Sequence, residues 1–269
     1  MELALAQLRI EAGDVTGNTE RALAAIEDAA AAGADLVCLP EIFTIGYFAF
    51  DEYEQCAESL AGPTLTTIAN AASEHDVAVL AGSIVEDLAE SSDDGITTPA
   101  ESGLANASVL VDRSGERQAI YRKHHLFGYE SAEADLLVPG ESLGVAEIGG
   151  FTVGMTTCYD LRFPELYRDL AGAGATLVLI PSAWPYPRVE HWQLLPRARA
   201  IENQIFVGTC NGSGVFGDTA LCGRSSVYDP WGDVLAETDD APAIVTADID
   251  SDRVETVREE FPAWRDRRR

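Results

Sequence analysis

Lysine is all but missing from this 269-residue chain: Lys123 stands alone against seventeen arginines and 45 acidic side chains. The formal net charge of −27 is spread along the sequence rather than gathered in blocks. A surface of that sign repels phosphate backbones and anionic lipid, which argues against nucleic-acid and membrane-surface partners. It suits a cytoplasm of very high salt, where repulsion between like charges is screened, and a halophilic source is expected. A GC-rich genome favouring Arg over Lys leaves the same mark and also accounts for the many alanines. On either ground the one surviving lysine is not an arbitrary surface residue.

Cysteine is scarce too. Cys38, Cys56, Cys158, Cys210 and Cys222 are odd in number and none stands in a C-x-x-C pair. That excludes a disulfide framework and a zinc site of ordinary spacing, and it predicts reduced thiols in a cytoplasmic protein. No apolar run reaches the length of a membrane span. The strand pattern of Glu2 to Arg9 occupies the place of a charged-then-apolar leader, so neither a signal peptide nor a span is expected. His124 and His125 adjoin Lys123, but neighbours on a strand point to opposite faces, and His75 and His191 sit in no ligand motif. No metal or other cofactor is expected.

With 46% hydrophobic residues the chain can bury a sizeable core. The pattern predicts a strand over 1–10, then a helix capped by Asn18 and running through an alanine-rich stretch to Ala32. A continuous apolar strand, Asp35 to Leu39, stops at Pro40-Glu41. Residues 42–50 form an aromatic loop too apolar for an ordinary connection, expected to line a pocket. A helix from Gly62-Pro63 to His75, a strand over 77–85, an exposed excursion over 86–103 and a hairpin over 106–123 follow. Further on, Gly174-Ala-Thr-Leu-Val-Leu-Ile-Pro181 matches Gly33-Ala-Asp-Leu-Val-Cys-Leu-Pro40 at five of eight positions. Both stretches follow a helix and end a buried strand, which points to an internal twofold in one α/β domain spanning 1–269.

Three chemically able groups stand at strand ends: Glu41, Lys123 and Cys158. Cys158 follows the apolar run Phe151 to Met155 and precedes a helix-like stretch, Glu165 to Ala173, with a proline in its first turn. A thiol at the positive end of a helix is expected to have a lowered pKa and to favour the thiolate. A carboxylate, an ammonium and a thiol suffice for thiol-mediated acyl transfer. Glu41 can take the thiol proton and later activate water, while Lys123 can donate to the oxyanion and to the leaving amine.

Leu39-Pro-Glu-Ile-Phe43, Tyr121-Arg-Lys-His-His-Leu-Phe127, Cys158-Tyr-Asp-Leu-Arg-Phe-Pro-Glu165, Arg197-Ala-Arg-Ala-Ile-Glu-Asn203 and Asp229-Pro-Trp-Gly232 together resemble the nitrilase superfamily of carbon–nitrogen hydrolases. The motifs run in family order over nearly the whole chain. The resemblance implies an α-β-β-α sandwich, usually dimerised through its layers, and a Glu-Lys-Cys triad that needs no metal or cofactor. The triad falls on Glu41, Lys123 and Cys158. A second family glutamate, which orients the lysine and substrate, falls on Glu133 upstream of Pro139-Gly140, with Glu130 as its rival.

The cysteine motif is similar to the amidase branches, especially the ω-amidase-like proteins, where true nitrilases show Cys-Trp-Glu. The implied reaction is hydrolysis of a small linear amide through a thioester, releasing ammonia. An N-carbamoyl substrate and a catalytically idle metabolite-binding scaffold are the alternatives. Tyr47, Tyr159, Arg162 and Trp184 are the candidate substrate contacts. Arg162 is suited either to a substrate carboxylate or to an acidic neighbour in the protein. Two stretches depart from the family pattern. Trp184-Pro-Tyr-Pro-Arg188 replaces a small, Gly-containing run before His191-Trp192, and Gly223-Arg-Ser225 stands where relatives often carry Gly-His-Ser.

Overall fold

Alternate residues of the first strand enter two different cores, and that alternation sets the layering. Leu3 and Leu5 join a cluster with Leu177, Leu179, Phe151, Met155 and Phe206, whereas Ala4 and Ala6 pack with Ala22, Ile26 and Ala29 on the opposite face. A third cluster sets Val178, Ile180 and Val207 against Leu170, Trp192 and Ala200. Three apolar interfaces between four layers make an α-β-β-α sandwich. A fully buried leucine in these layers contributes roughly 2 kcal/mol through the apolar surface it removes from water. The computed structural model describes residues 1–129 and 131–268; Glu130 and Arg269 lie outside them.

In chain order the first half runs β1 (Glu2–Gln7), α1 (Val15–Ala31), β2 (Leu36–Cys38), α2 (Tyr53–Cys56), α3 (Pro63–Glu74), β3 (Ala78–Leu80) and β4 (Ile84–Asp87). It continues with α4 (Leu88–Asp93), β5 (Leu104–Val111) and β6 (Arg117–Arg122). The second half runs α5 (Glu133–Leu136), β7 (Gly144–Ile148), β8 (Phe151–Met155), α6 (Pro164–Gly172), β9 (Leu177–Ser182), α7 (Val189–Asn203) and β10 (Phe206–Asn211). A small hairpin, β11 (Val215–Phe216) and β12 (Thr219–Ala220), precedes β13 (Ser226–Tyr228), β14 (Val234–Glu237), β15 (Ala243–Asp248), α8 (Asp252–Glu260) and α9 (Ala263–Asp266).

One sheet has the order β15-β1-β2-β3-β5-β4 with β6 on β5; the other has the order β14-β13-β10-β9-β8-β7. β1, β2 and β3 are parallel with α1 and α3 between them, and β8, β9 and β10 are parallel with α6 and α7 between them. The repeat legible in the sequence is therefore the β2/β9 pair of an internal twofold. Both strands deliver their following residues to one edge of the sandwich: the Glu41 N–H donates to the Ser182 carbonyl at 3.4 Å. Among the described residues no helix is long and apolar enough to cross a membrane.

Three sequence expectations are corrected. Helix α1 starts four residues early, capped by Asp14, whose carboxylate accepts from the Gly17 N–H; Asn18 lies buried inside it and donates to the carbonyls of Glu11 and Thr44. The strand expected over 77–85 is two strands, broken at Gly82 with φ +44°. The stretch 86–103 is no disordered excursion. It holds α4, capped by Asp87, and its Leu88, Ser91 and Ile96 are buried, while buried Glu86 takes a two-bond contact from Arg122 at 2.5 and 2.7 Å. Acidic composition misled there because burial decides order, and the carboxylates of Glu86, Asp87 and Asp94 have partners in Arg122, the α4 N-terminus and Ser59.

Candidate active site

Each functional group owes its place to a backbone feature at a strand end. After β2 the chain turns sharply at Glu41-Ile42, with Ile42 at φ +44°. Ser83 holds that turn, its hydroxyl accepting from the Ile42 N–H at 2.9 Å and its carbonyl from the Phe43 N–H at 3.2 Å. A Cβ on Gly82 would overlap the Pro40 carbonyl oxygen, so only glycine lets the two segments meet. Lys123 leaves β6 with its backbone still in the ladder, donating to the Asn106 carbonyl and accepting from the Gly140 N–H at 3.0 Å. A Cβ on Gly140 would overlap the Arg122 carbonyl, which is the physical role of the Pro-Gly pair.

Cys158 leaves β8 through Thr157, opens a short 3₁₀ turn to Arg162, and sits at φ +47°. A non-glycine residue held in the left-handed region stores strain and places its side chain outside the strand line. Asp160 fixes this turn. Fully buried, it accepts from the Thr157 N–H at 3.0 Å, the Tyr121 hydroxyl at 2.6 Å and the His125 N–H at 2.9 Å, with His125 Nδ1 at 2.8 Å. Asp160 thereby ties the cysteine turn to the lysine strand. The other end of the turn is held by Arg199, whose guanidinium donates to the Leu161 carbonyl at 2.9 and 3.2 Å and pairs with Glu202 at 3.0 Å.

The three groups converge. Lys123 Nζ donates to Glu41 Oε1 at 2.8 Å and to both Glu133 oxygens at 2.8 and 3.0 Å. The Cys158 thiol lies against the Glu41 carboxylate and the Ala183 N–H, and that N–H also donates to Glu41 Oε2 at 2.9 Å. Glu133 is fully used: its carboxylate also accepts from the Phe127 N–H at 2.7 Å, Tyr47 OH at 3.0 Å and Asn106 Nδ2 at 3.2 Å. Asn106 bridges both glutamates, reaching Glu41 Oε1 at 2.9 Å. Glu41, Lys123 and Glu133 are 0–1% exposed, while Cys158 is 9% exposed, so the sulfur fronts the site and the charged groups lie behind it.

Burial raises the Glu41 carboxyl above its ordinary range, against the opposing charge of Lys123. Burial alone would discharge Lys123, yet Glu133 and then Glu41 hold its ammonium well above the usual lysine value. The thiol expectation is corrected: burial first, then the Glu41 charge, pushes Cys158 up despite Lys123 and the Ala183 N–H. The helix that was expected to lower it begins only at Pro164, beyond the 3₁₀ turn. The resting sulfur is a neutral thiol beside a carboxylate.

In front of the sulfur lies a crevice of ≈ 370 Å³, part of it open solvent, lined by Tyr47, Phe48, Phe127, Tyr159, Arg162 and Trp184 among others. All four candidate substrate contacts are on its wall. Tyr47 also turns its ring to Lys123 Nζ, 5.2 Å away, and Arg162 lies over Trp184 at 4.9 Å, with no acidic partner among the described residues. Sequence reasoning missed Asn106, Asp160 and Ser83. Asn106 had a signal: it is a buried amide in β5, a strand whose other residues are apolar except for Ser108. Among the described residues no cluster of three His, Cys, Asp or Glu side chains is arranged to hold a metal ion.

A model of the carbon-nitrogen hydrolase family matches residues 2–259. The chain belongs to the carbon–nitrogen hydrolase family. This hydrolase is 39% identical to a 2-oxoglutaramate amidase of Paenarthrobacter nicotinovorans over 87% of its own length and 79% of that protein's. It is 34% identical to a Homo sapiens omega-amidase over 99% and 94% of the two chains. In three dimensions it is similar, with a TM-score of 0.80 and 29% identity over 97% of this chain and 98% of the other, to an amidase from Nesterenkonia sp. AN1. That structure shows acrylamide added at the active site cysteine.

Proposed function

We propose that this hydrolase cleaves a small linear amide bearing a distal carboxylate, through a thioester on Cys158. The carrying observation is one buried group: the Glu41 carboxylate accepts from the Lys123 ammonium at 2.8 Å and from the N–H of Ala183 at 2.9 Å, and Ala183 shares the crevice wall with Cys158, whose ionisation the Glu41 charge opposes. The thiol proton moves to Glu41 as sulfur attacks the amide carbon, and the Lys123 ammonium faces the oxyanion that forms. The C–N bond then breaks, and the proton on Glu41 passes to the nitrogen, which leaves as ammonia. Water gives a proton to Glu41 and attacks the thioester; the C–S bond breaks, the acid departs and sulfur recovers its proton. Lys123, held charged by two carboxylates, serves as fixed charge rather than proton donor. Glu133 acts through Lys123 and is a positioning residue.

Relatives that carry the names 2-oxoglutaramate amidase and omega-amidase support an amide over a nitrile, and the cysteine adduct in the Nesterenkonia amidase supports Cys158 as nucleophile. Arg162, on the crevice wall and without a carboxylate partner among the described residues, supports an acidic substrate tail. The test is a panel of linear amides with and without a distal carboxylate, N-carbamoyl acids and nitriles, read by product analysis. Ammonia without carbon dioxide from carboxylate-bearing amides is expected; carbon dioxide from the carbamoyl compounds alone would replace this reading.

We further infer that residues 1–269 work as one domain in a homodimer joined through the α7 face. Leu194 and Ile201, seven apart on α7, are 66% and 49% exposed, and Trp231 meets Phe261 edge-on at 5.9 Å beside them. Gly232 abuts Ile201, making the patch continuous. Sedimentation velocity should find a dimer that Ile201→Asp converts to monomer; a monomeric native protein would discard the inference.

A further inference from the structure

Five side chains that line the crevice are linked in a ring. The Arg188 guanidinium lies over Phe127 at 5.6 Å, Phe127 meets Tyr159 edge-on at 4.9 Å, and Arg162 lies over Tyr159 at 5.8 Å and over Trp184 at 4.9 Å. The Trp184 indole N–H then returns to the Arg188 carbonyl at 3.0 Å. Cys158 lines the same crevice as this collar. Arg188 belongs to the stretch 184–188 that departs from the family pattern, and its main chain is fixed: the same carbonyl accepts from the Trp192 N–H at 3.2 Å.

Some arginines elsewhere in the protein pair with acids, as Arg122 does on Glu86, Arg199 on Glu202 and Arg253 on Asp229, and others bond backbone carbonyls, as Arg168 does on Glu202 and Arg197 on Gly232; what sets Arg162 and Arg188 apart is that both line the Cys158 crevice. Among the described residues neither Arg162 nor Arg188 has a carboxylate within 4 Å, in a chain with 45 acidic residues. The polar contact of Arg162 is His191 Nδ1 at 3.3 Å. Two guanidiniums set over aromatic rings on the crevice wall can offer N–H donors to an anion supplied from outside.

We propose that Arg188 is a second specificity-determining residue, sharing the substrate's distal carboxylate with Arg162 across the collar. This rests on the amide-hydrolysis reading above and adds to it that the collar selects by charge. An acyl chain with an acidic end is gripped between two forks while its amide reaches Cys158. A neutral or cationic chain leaves both guanidiniums unsatisfied.

The test compares kcat and KM of the native enzyme with those of Arg188→Gln and Arg188→Lys on matched linear amides, one ending in carboxylate and one in methyl. Arg188→Gln is expected to raise KM for the acidic amide about 10- to 100-fold, the worth of one charge-assisted hydrogen bond, with kcat changed far less. Arg188→Lys, keeping charge but not the flat fork, falls between. An unchanged KM, or equal losses on both amides, overturns the proposal. A second readout needs no turnover: the rate of Cys158 alkylation by iodoacetate relative to iodoacetamide, followed by peptide mass. The ratio should drop in Arg188→Gln. A dropped ratio in a protein that hydrolyses no amide keeps the collar and removes the amidase reading, whereas an unmoved ratio removes the collar.

Discussion

Lys123→Met is expected to lose about 3–5 kcal/mol of folding stability at neutral pH, because removing one partner strands buried charge. Amide hydrolysis is lost with it. Glu41 and Glu133 are both fully buried, and the ammonium is the cation between them. Asn106 and the backbone N–H groups of Ala183 and Phe127 supply dipoles, which do not cancel two like charges. The loss has a pH signature whose sign follows from the carboxylates. Burial and the Glu133 charge already raise Glu41 against the Lys123 charge, and without Lys123 its folded pKa rises further above the unfolded value of about 4.3. A group raised in this way adds stability that is complete below the unfolded pKa and is lost as pH rises through the folded one. Denaturant unfolding should therefore show the gap between Lys123→Met and the native protein wide at pH 8 and narrow near pH 4. A gap that is small, or constant with pH, would mean that Lys123 is not the counter-ion of this group.

Cys158→Ala should lower amide turnover about ten-thousand-fold or more, the scale on which nucleophile deletions act, while leaving the fold intact. The thiol opens to the crevice, and removing one sulfur from a 9% exposed position leaves no buried charge unpaired. Cys158→Ser should be almost as poor. Burial and the Glu41 charge already oppose ionisation of a thiol here, and a hydroxyl loses its proton far less readily. Steady-state ammonia release and thermal unfolding of the same samples decide it; unfolding that fell together with activity would assign the residue to packing instead.

The triad was legible because each member broke a pattern: a lone lysine, a glutamate ending an apolar strand and a cysteine between strand and helix. The β2/β9 repeat was legible for the same reason, since both strands are buried on two faces and must be apolar throughout. The thiol's ionisation was not legible. It depends on Glu41 and Ala183, which come from other strands and meet Cys158 only in the folded protein. Asp160 was hidden within a motif as one more acidic residue, although it anchors both the cysteine turn and the His125 loop. The collar was hidden as well. Arg162, Arg188 and their aromatic partners are scattered over more than sixty positions, and the feature that groups them is a crevice wall that exists only in the folded protein.

The most direct measurement is the intact mass of the protein, quenched during turnover of a carboxylate-bearing amide and mapped by peptide. A covalent acyl group on Cys158, with the mass of the substrate less ammonia and decaying as product appears, is the predicted result. Turnover at full rate with Cys158 never acylated, or undiminished in Cys158→Ala, would contradict it.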